Sequence, residues 1–392
     1  MLKAKNQNII INSRLDKHGD YETPEQGVPV VKPAKHWELC YTMNDSWGYQ
    51  PYDDHYKSSN MIIRTLVDCI NMGGNLLLDI GPKPDGTIAP EQEKILKDLG
   101  RWTNKHAEAI YGTEAGIPAG HVNAKTALSK DKKTLFLYLD YKTENGIMLT
   151  GIKSKITKIE LVGNKETVHA VDLNKNDYFI QFKENGFDKD VTVLKVSFNE
   201  PISLIETKSD PISVAALFAK PQHVNLANFN LRKLSSDINN GVNIFRDTDL
   251  PADGMGFKPQ LKDFNPTVNQ WVIKNAEALY KTTAGIAEGH YQGNTALSAD
   301  KQTLYLFVEG QPTGPIAIKG LVNNIARIRV VGEGTMLNHQ VYNKLYWSKI
   351  PGIVYIDIPK EKLDKELTVI AVLLDGPIKL YREKVGAIES NL

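Results

Sequence analysis

Over residues 9–111 short apolar runs alternate with helix-spaced apolar positions, the order expected of parallel βα units rather than hairpins. The pattern predicts strands at Ile9–Ile11, Leu39–Met43 and Asn75–Ile80, the last a continuous apolar run suited to a strand covered on both faces. Between the second and third, Ile62, Ile63, Leu66, Val67 and Ile70 recur at spacings of three and four. They predict a helix capped by Ser58 or Ser59 and ended by Gly73 and Gly74. Pro82 to Gly86 reads as a turn, and Pro90 opens a second helix with Ile95, Leu99 and Trp102 on its apolar stripe.

From Trp102 onward the pattern repeats at an offset of 169 residues. Trp102 meets Trp271, and between 107–139 and 276–308, 19 of 33 positions are identical, too many for chance. Further on the offset becomes 176, so the second copy carries a seven-residue insertion. Each copy holds β-rich runs separated by Gly, Asn, Lys and Asp turns, in the first copy Lys133–Leu139, Ile156–Val162 and Val191–Phe198. Such a series predicts one β-sandwich per copy. Between them, Lys220 to Gln270 is rich in Asn, Asp and Gly and reads as a long linker, either free or partly packed. The fold class expected is therefore multidomain α/β plus all-β: an α/β part over 1–106, a sandwich over 107–219, a connector over 220–270 and a second sandwich over 271–392.

Composition narrows the function classes. The 392 residues carry 47 basic and 46 acidic side chains, a formal charge of +1, which gives no electrostatic reason to expect nucleic acid or an anionic membrane as partner. No stretch has the length and apolarity of a transmembrane helix, and the start, MLKAKNQN, lacks the apolar core of a signal peptide. Two cysteines, Cys40 and Cys69, build neither a disulfide framework nor a Cys-rich zinc site, and the nine histidines show no ligand-spaced pair. No metal or cofactor is expected. His121 and His290 recur in step after glycine, which points to a shared turn rather than chemistry.

Polar residues gather just past the predicted strand ends: Asn12, Ser13 and Arg14, then Asn44, Asp45, Ser46, Trp47 and Tyr49, then Asp79 and Gly81. In α/β barrels that edge carries the chemistry. The α/β part is either a small layer or a portion of such a barrel.

Four runs, GDYETPEQ (Gly19 to Gln26), WELCYTMNDSWGY (Trp37 to Tyr49), GGNLLLDIGPKPDGTI (Gly73 to Ile88) and AEAIYGT (Ala107 to Thr113), stand in an order and spacing that resemble the closing third of the catalytic barrel of α-L-fucosidases of glycoside hydrolase family 29. The resemblance implies the C-terminal portion of a (β/α)8-type barrel followed by the two repeated β-sandwich domains. It further implies a retaining hydrolase of terminal α-L-fucose, with fucosylated glycans as partners. Such enzymes use two carboxyl groups ~5 to 5.5 Å apart, one a nucleophile and one an acid/base. By resemblance the acid/base falls on Glu25, with Glu38 the second choice; Arg14 matches an arginine that touches the sugar and Trp47 an aromatic that packs on it. The nucleophile, an aspartate on an earlier strand, precedes this sequence, so the resemblance implies a site needing residues from elsewhere, including a completing chain or oligomer. Kinship implies a periplasmic, extracellular or lysosomal setting.

Each of these residues also has a plain structural reading. Arg14 would pair with Asp16 or Asp20, Glu25 would be a solvated turn carboxylate, Glu38 would pair with Lys35 or Arg14, and Asp79 would be a satisfied strand carboxylate. The competing functional class is a non-catalytic carbohydrate-binding or structural protein that keeps the motifs by descent. In that class Tyr280, Tyr291, Tyr305, Phe307, Tyr342, Tyr346 and Trp347 of the second copy would be searched for a sugar platform, most of them being core at strand spacing.

Overall fold

The computed structural model describes residues 2–144, 146–164, 168–173, 175–181, 186–205, 211–219, 227–246, 265–344 and 348–382, apart from the side chains of Asp16, Lys17, Ala227 and Asn228. It is mostly β-sheet with few helices. The N-terminal part holds α1 (Leu2–Lys5), β1 (Glu38–Thr42), α2 (Ser59–Asn71), β2 (Asn75–Asp79) and α3 (Pro90–Lys105). Strands β1 and β2 are parallel and in register from Glu38 opposite Asn75 to Thr42 opposite Asp79, joined through α2. Ser58 caps α2 by accepting from the Met61 amide. Gly73, at φ +71°, takes the left-handed step that ends the helix, and a Cβ on Gly74 would lie 2.1 Å from the Trp37 ring.

Ile9–Ile11 does not form the expected strand. Ile10 is 76% exposed, and the segment touches the layer through a bridge from Asn12 to Tyr21 and the Asp20 amide donating to the Ile11 carbonyl. Three apolar residues in a row do not hold a strand without a neighbour to pair and cover them. Residues 21–26 instead run beside β1, bridging Glu22 to Trp37 and Glu25 to Cys40 in parallel sense.

The first repeat contains β3 (Thr113–Ala115), β4 (Lys125–Ser129), β5 (Thr134–Leu139), β6 (Tyr141–Lys142), β7 (Ile147–Leu149), β8 (Ile156–Leu161), β9 (His169–Asp172), β10 (Tyr178–Gln181) and β11 (Thr192–Phe198). They make a five-stranded sheet, β3-β4-β5-β11-β8, and a three-stranded one, β7-β10-β9. After α4 (Val214–Phe218), α5 (Ala227–Asn239) and α6 (Pro266–Lys274) come β12 (Thr295–Leu297), β13 (Thr303–Val308), β14 (Gln311–Pro312), β15 (Ile316–Ile318), β16 (Ile325–Val330), β17 (His339–Tyr342), β18 (Ile353–Ile356) and β19 (Thr368–Leu374). Their sheets, β12-β13-β19-β16 and β15-β18-β17, repeat the order of the first pair.

The larger sheet of each repeat is covered on both faces. Leu135, Leu137, Leu139, Leu194 and Val196 pack with Ile147, Leu149 and Ile180 of the smaller sheet. Phe136, Tyr138, Val191 and Val193 point the other way, against Ile63, Val67, Ile70 and Trp102 of α2 and α3. The second repeat does the same: Leu304, Leu306, Ile370 and Val372 face its small sheet, while Tyr305, Phe307, Val369 and Ala371 face Leu231, Leu234, Val268 and Trp271 of α5 and α6. Each fully buried aliphatic or aromatic side chain contributes ~1.5–3 kcal/mol, so the helical faces are integral to the fold. The described part of the connector is thus helical and packed: the apolar stripe at Leu231, Leu234 and Ile238 is buried, Ser235 and Asp237 are buried beside it, and Asn265 caps α6.

Trp102 and Trp271 hold the helices to the sheets in the same way, their indoles donating to the Val191 carbonyl at 2.8 Å and the Leu367 carbonyl at 2.6 Å.

Candidate active site

The C-terminal ends of residues 21–26 and β1 bring a polar group together. Extended backbone at 22–26 is fixed by the Cys40 amide donating to the Pro24 carbonyl and the Gln26 amide donating to the Cys40 carbonyl, each within 3.0 Å. This places Glu25 beside Cys40. The Glu25 side chain is only 4% exposed and accepts from Arg14 Nη2 at 2.6 Å, a charge-assisted bond. Arg14 follows Asn12 on a short 3-10 turn, Ser13–His18, and Ser13 Oγ lies 2.7 Å from Thr23 Oγ1, which anchors the turn to the Glu25 strand. Arg14 therefore pairs with Glu25 and not with Asp20, whose carboxylate is taken by Lys3 and the Ile11 amide. Glu25 is a buried, paired carboxylate rather than a solvated one.

Glu38 opens β1, two residues before Cys40, at the opposite end of the strand from the loop that carries Trp47. Alternation puts Glu38, Cys40 and Thr42 on one face, with Asp79 opposite Thr42 in β2. Burial pushes the Cys40 thiol up, and the nearby Glu25, Asp79 and Glu38 carboxylates add to the push, opposed by Arg14. Burial likewise raises the Asp79 carboxyl above its ordinary value. Glu25, Glu38 and Asp79 thus share one electrostatic neighbourhood, with Arg14 as its cation.

Trp47 is half-buried in the loop after β1, on the same edge as Glu25. That loop is tied down at several points: Ser46 Oγ donates to Asp53 at 2.6 Å, His55 Nδ1 lies 2.8 Å from Asp45, and the His55 ring stacks on Tyr342 of the second repeat at 4.0 Å. Asn343 Nδ2 of that repeat also donates to the Gln26 carbonyl at 2.5 Å.

Lys57 was not singled out by its sequence context. It is 1% exposed, donates to the Asn44 carbonyl at 2.7 Å and lies 4.8 Å from the Tyr41 ring centre. Burial brings its ammonium down to about 7, with Asp45 and Asp53 working the other way. A single lysine ahead of a helix cap carries no periodic or motif signal, so only the folded layer reveals it. Among the described residues no group of three or more His, Cys, Asp and Glu is placed to hold a metal ion, and no helix is long and apolar enough to cross a membrane. In the second repeat Tyr280, Tyr305, Phe307 and Tyr342 are buried, Tyr291 is half-buried, and Tyr346 and Trp347 lie outside the described residues. His121 and His290 occupy equivalent turns, donating through Nδ1 to the Thr150 and Lys319 carbonyls at 2.8 and 2.7 Å.

Residues 1–108 match the sequence profile of the α-L-fucosidase family. The chain is 28% identical over 191 residues to human plasma α-L-fucosidase, covering 45% of this chain and 41% of that protein. It is 33% identical over 174 residues to mouse tissue α-L-fucosidase, covering 40% and 38%. The chain thus spans about two fifths of the length of the curated relatives it matches. Similar solved structures include α-L-fucosidase isoenzyme 1 from Paenibacillus thiaminolyticus, with a TM-score of 0.47 at 23% identity over 51% of this chain and 52% of that one. Another is a family 29 α-L-fucosidase from Bacteroides thetaiotaomicron, with a TM-score of 0.43 at 23% identity over 50% of each chain. The segment that holds Arg14, Glu25, Glu38 and Trp47 is thus the part of the chain that matches the α-L-fucosidase family, and the similarity to the curated α-L-fucosidases extends over about two fifths of the chain.

Proposed function

We propose that the N-terminal part is the closing portion of a fucosidase (β/α)8 barrel, followed by two β-sandwich units. In this reading it works in the hydrolysis of terminal α-L-fucosyl residues from glycans with retention. The observation that carries the reading is the Arg14–Glu25 pair at the C-terminal edge of a parallel layer, beside the loop of Trp47. Glu25 acts as acid/base. It gives its proton to the leaving oxygen as the anomeric bond breaks, then takes a proton from the water that attacks the same carbon in the second step. Arg14 leaves Glu25 for a sugar oxygen when substrate enters, which frees the carboxyl for proton transfer. Trp47 offers its ring to the apolar face of the sugar. Glu38, at the far end of β1, helps set the charge around Glu25 and is the alternative acid/base. The nucleophile is an aspartate contributed from outside these residues, by more of the same polypeptide or by a completing chain.

The test is hydrolysis of an aryl α-L-fucoside by the purified chain, alone and mixed with a separately expressed N-terminal portion of a family 29 barrel. A Glu25→Ala, Glu38→Ala double variant controls for contaminating enzyme. Turnover that needs both partners and is lost in the double variant supports the reading. The same rate in the double variant refutes the assignment of both residues.

A further inference from the structure

The duplication begins earlier than the offset of 169 reveals. At an offset of 168, Asn60, Arg64, Leu66, Ile70, Asn71 and Gly73 meet Asn228, Arg232, Leu234, Ile238, Asn239 and Gly241. The structure repeats what these residues do. Asn71 Oδ1 accepts from the Thr126 amide at 2.8 Å, and Asn239 Oδ1 accepts from the Thr295 amide at 3.0 Å. The Asn71 carbonyl accepts from Gly116 at 2.9 Å, and the Asn239 carbonyl from Gly285 at 3.0 Å. Helix α5 is therefore the counterpart of α2, as α6 is of α3, and the duplicated unit contains the end of the α/β part as well as the sheets.

The two units also meet through equivalent residues. Strand β6 pairs antiparallel with β14, and Lys142 lies opposite Gln311, its own counterpart at an offset of 169. Gln292 Nε2 donates to Asn123 Oδ1 at 3.4 Å, again counterpart to counterpart. Arg64 pairs with Asp140 of its own unit at 3.0 Å and donates to the Pro315 carbonyl of the other. Arg232 pairs with Glu309 of its own unit at 3.2 Å and donates to the Gly146 carbonyl of the other at 3.0 Å. Asp140 and Glu309, and Gly146 and Pro315, are equivalent positions. Self-opposed residues and reciprocal contacts are the signature of a twofold, isologous interface.

One difference breaks the symmetry. Asp68 is paired with Lys125 of its own unit and, at 3.3 Å, with Lys319 of the other, while the counterparts of Asp68 and Lys319 are the neutral Ser236 and Thr150. Two first units facing each other would set Asp68 against a threonine and lose the ion pair. The pairing of unlike units is the one the charges favour.

We propose that the surface of the first unit around Arg64, Asp68, Asn123 and Lys142 is a self-association surface whose partner is the second unit of the same chain. The two units dock as the halves of a twofold dimer within one polypeptide. The role of the second unit is then to cover and hold the first: its Tyr342, Ile353 and Tyr355 pack on Tyr41, Met43 and Met61 beside the candidate site. This holds whether or not the chain contributes to catalysis.

Directly opposed residues of an antiparallel pair have Cα atoms ~4.5–5.5 Å apart, within the range a disulfide spans. Lys142→Cys with Gln311→Cys, in a Cys40→Ser background, should therefore oxidise to a disulfide inside a monomeric full-length chain, with loss of both engineered thiols to a maleimide probe and a raised Tm. Disulfide-linked dimers, or two reactive thiols in the folded chain, would overturn the proposal. If that variant does not fold, Asn123→Lys and Gln292→Glu are tested singly and together. A Tm of the pair above the sum of the single shifts supports the interface, and strictly additive shifts refute it.

Discussion

His106 ends α3 at 1% exposure, its Nδ1 donating to the Trp102 carbonyl at 2.9 Å and its ring 4.9 Å from the Trp102 indole. Burial brings the imidazole down to about 4, against the pull of the Trp102 carbonyl and the Asp188 carboxylate and with help from Lys105 and Arg101. The folded pKa lies below the unfolded value near 6.5, so between these two pH values the unfolded chain binds a proton that the folded chain refuses. Stability must fall as pH drops through that window. At ~1.36 kcal/mol per pKa unit the fall due to this one group reaches ~3 kcal/mol by pH 4. The second unit supplies the control, because its counterpart is Asn275, whose Nδ2 donates to the Trp271 carbonyl at the same 2.9 Å. His106→Asn should therefore keep the bond, cost ~1 kcal/mol at pH 7 through the smaller side chain, and flatten the loss between pH 6.5 and 4 relative to the parent. Urea unfolding followed by tryptophan fluorescence across this range measures both chains. His290, lowered in the same direction by burial, contributes equally to each and cancels in the difference. Parallel curves for the two chains would refute the argument that a buried neutral imidazole sets the acid limit.

Trp102→Phe and Trp271→Phe each remove the indole donor to a buried carbonyl and should cost ~1–3 kcal/mol in chemical denaturation, with additive effects because the two sites are separate; a neutral Trp271→Phe would mean α6 is not held by that bond. Lys57 is lowered to about 7 when folded, so stability is lost as pH falls from its unfolded value towards 7. Lys57→Met removes that loss, and the Asn44 carbonyl still accepts from Thr42 Oγ1; melting temperatures at pH 9 and 7 should draw closer in the variant than in the parent, and an unchanged gap would deny the buried ammonium its part. In a reconstituted barrel, Glu25→Ala should depress hydrolysis of fucosides with poor leaving groups strongly and of activated aryl fucosides less, since the latter need little protonation; equal loss on both would take Glu25 out of the acid role.

Local order was legible wherever the reason for it was local. The helix capped by Ser58 and ended at Gly73, the proline that opens α3, and β1 and β2 within a residue or two of their expected bounds all follow from periodicity and end signals. The repeat was legible because identical turns and strands need no contact to be recognised. The sequence motifs led to Glu25 and Arg14 one by one and not as a pair, because their direct bond depends on residues 13–26 folding back along β1.

Tertiary structure decided the rest. The run Ile9–Ile11 is as apolar as a strand, but pairing is a property of two segments, and the neighbour that would bury Ile10 is not among the described residues. Apolar runs in β5, β11, β13 and β19 look like imperfect alternation because each sheet is covered twice, by a second sheet and by helices. The polar connector conceals α5, since Ser235 and Asp237, buried beside Leu231, Leu234 and Ile238, break the apolar pattern by which a packed helix is read. The twofold meeting of the units is likewise invisible along the chain. Equivalent residues such as Lys142 and Gln311 announce their kinship in the sequence, but only folding brings them opposite one another, because an interface is fixed by the relative placement of surfaces and not by the spacing of residues.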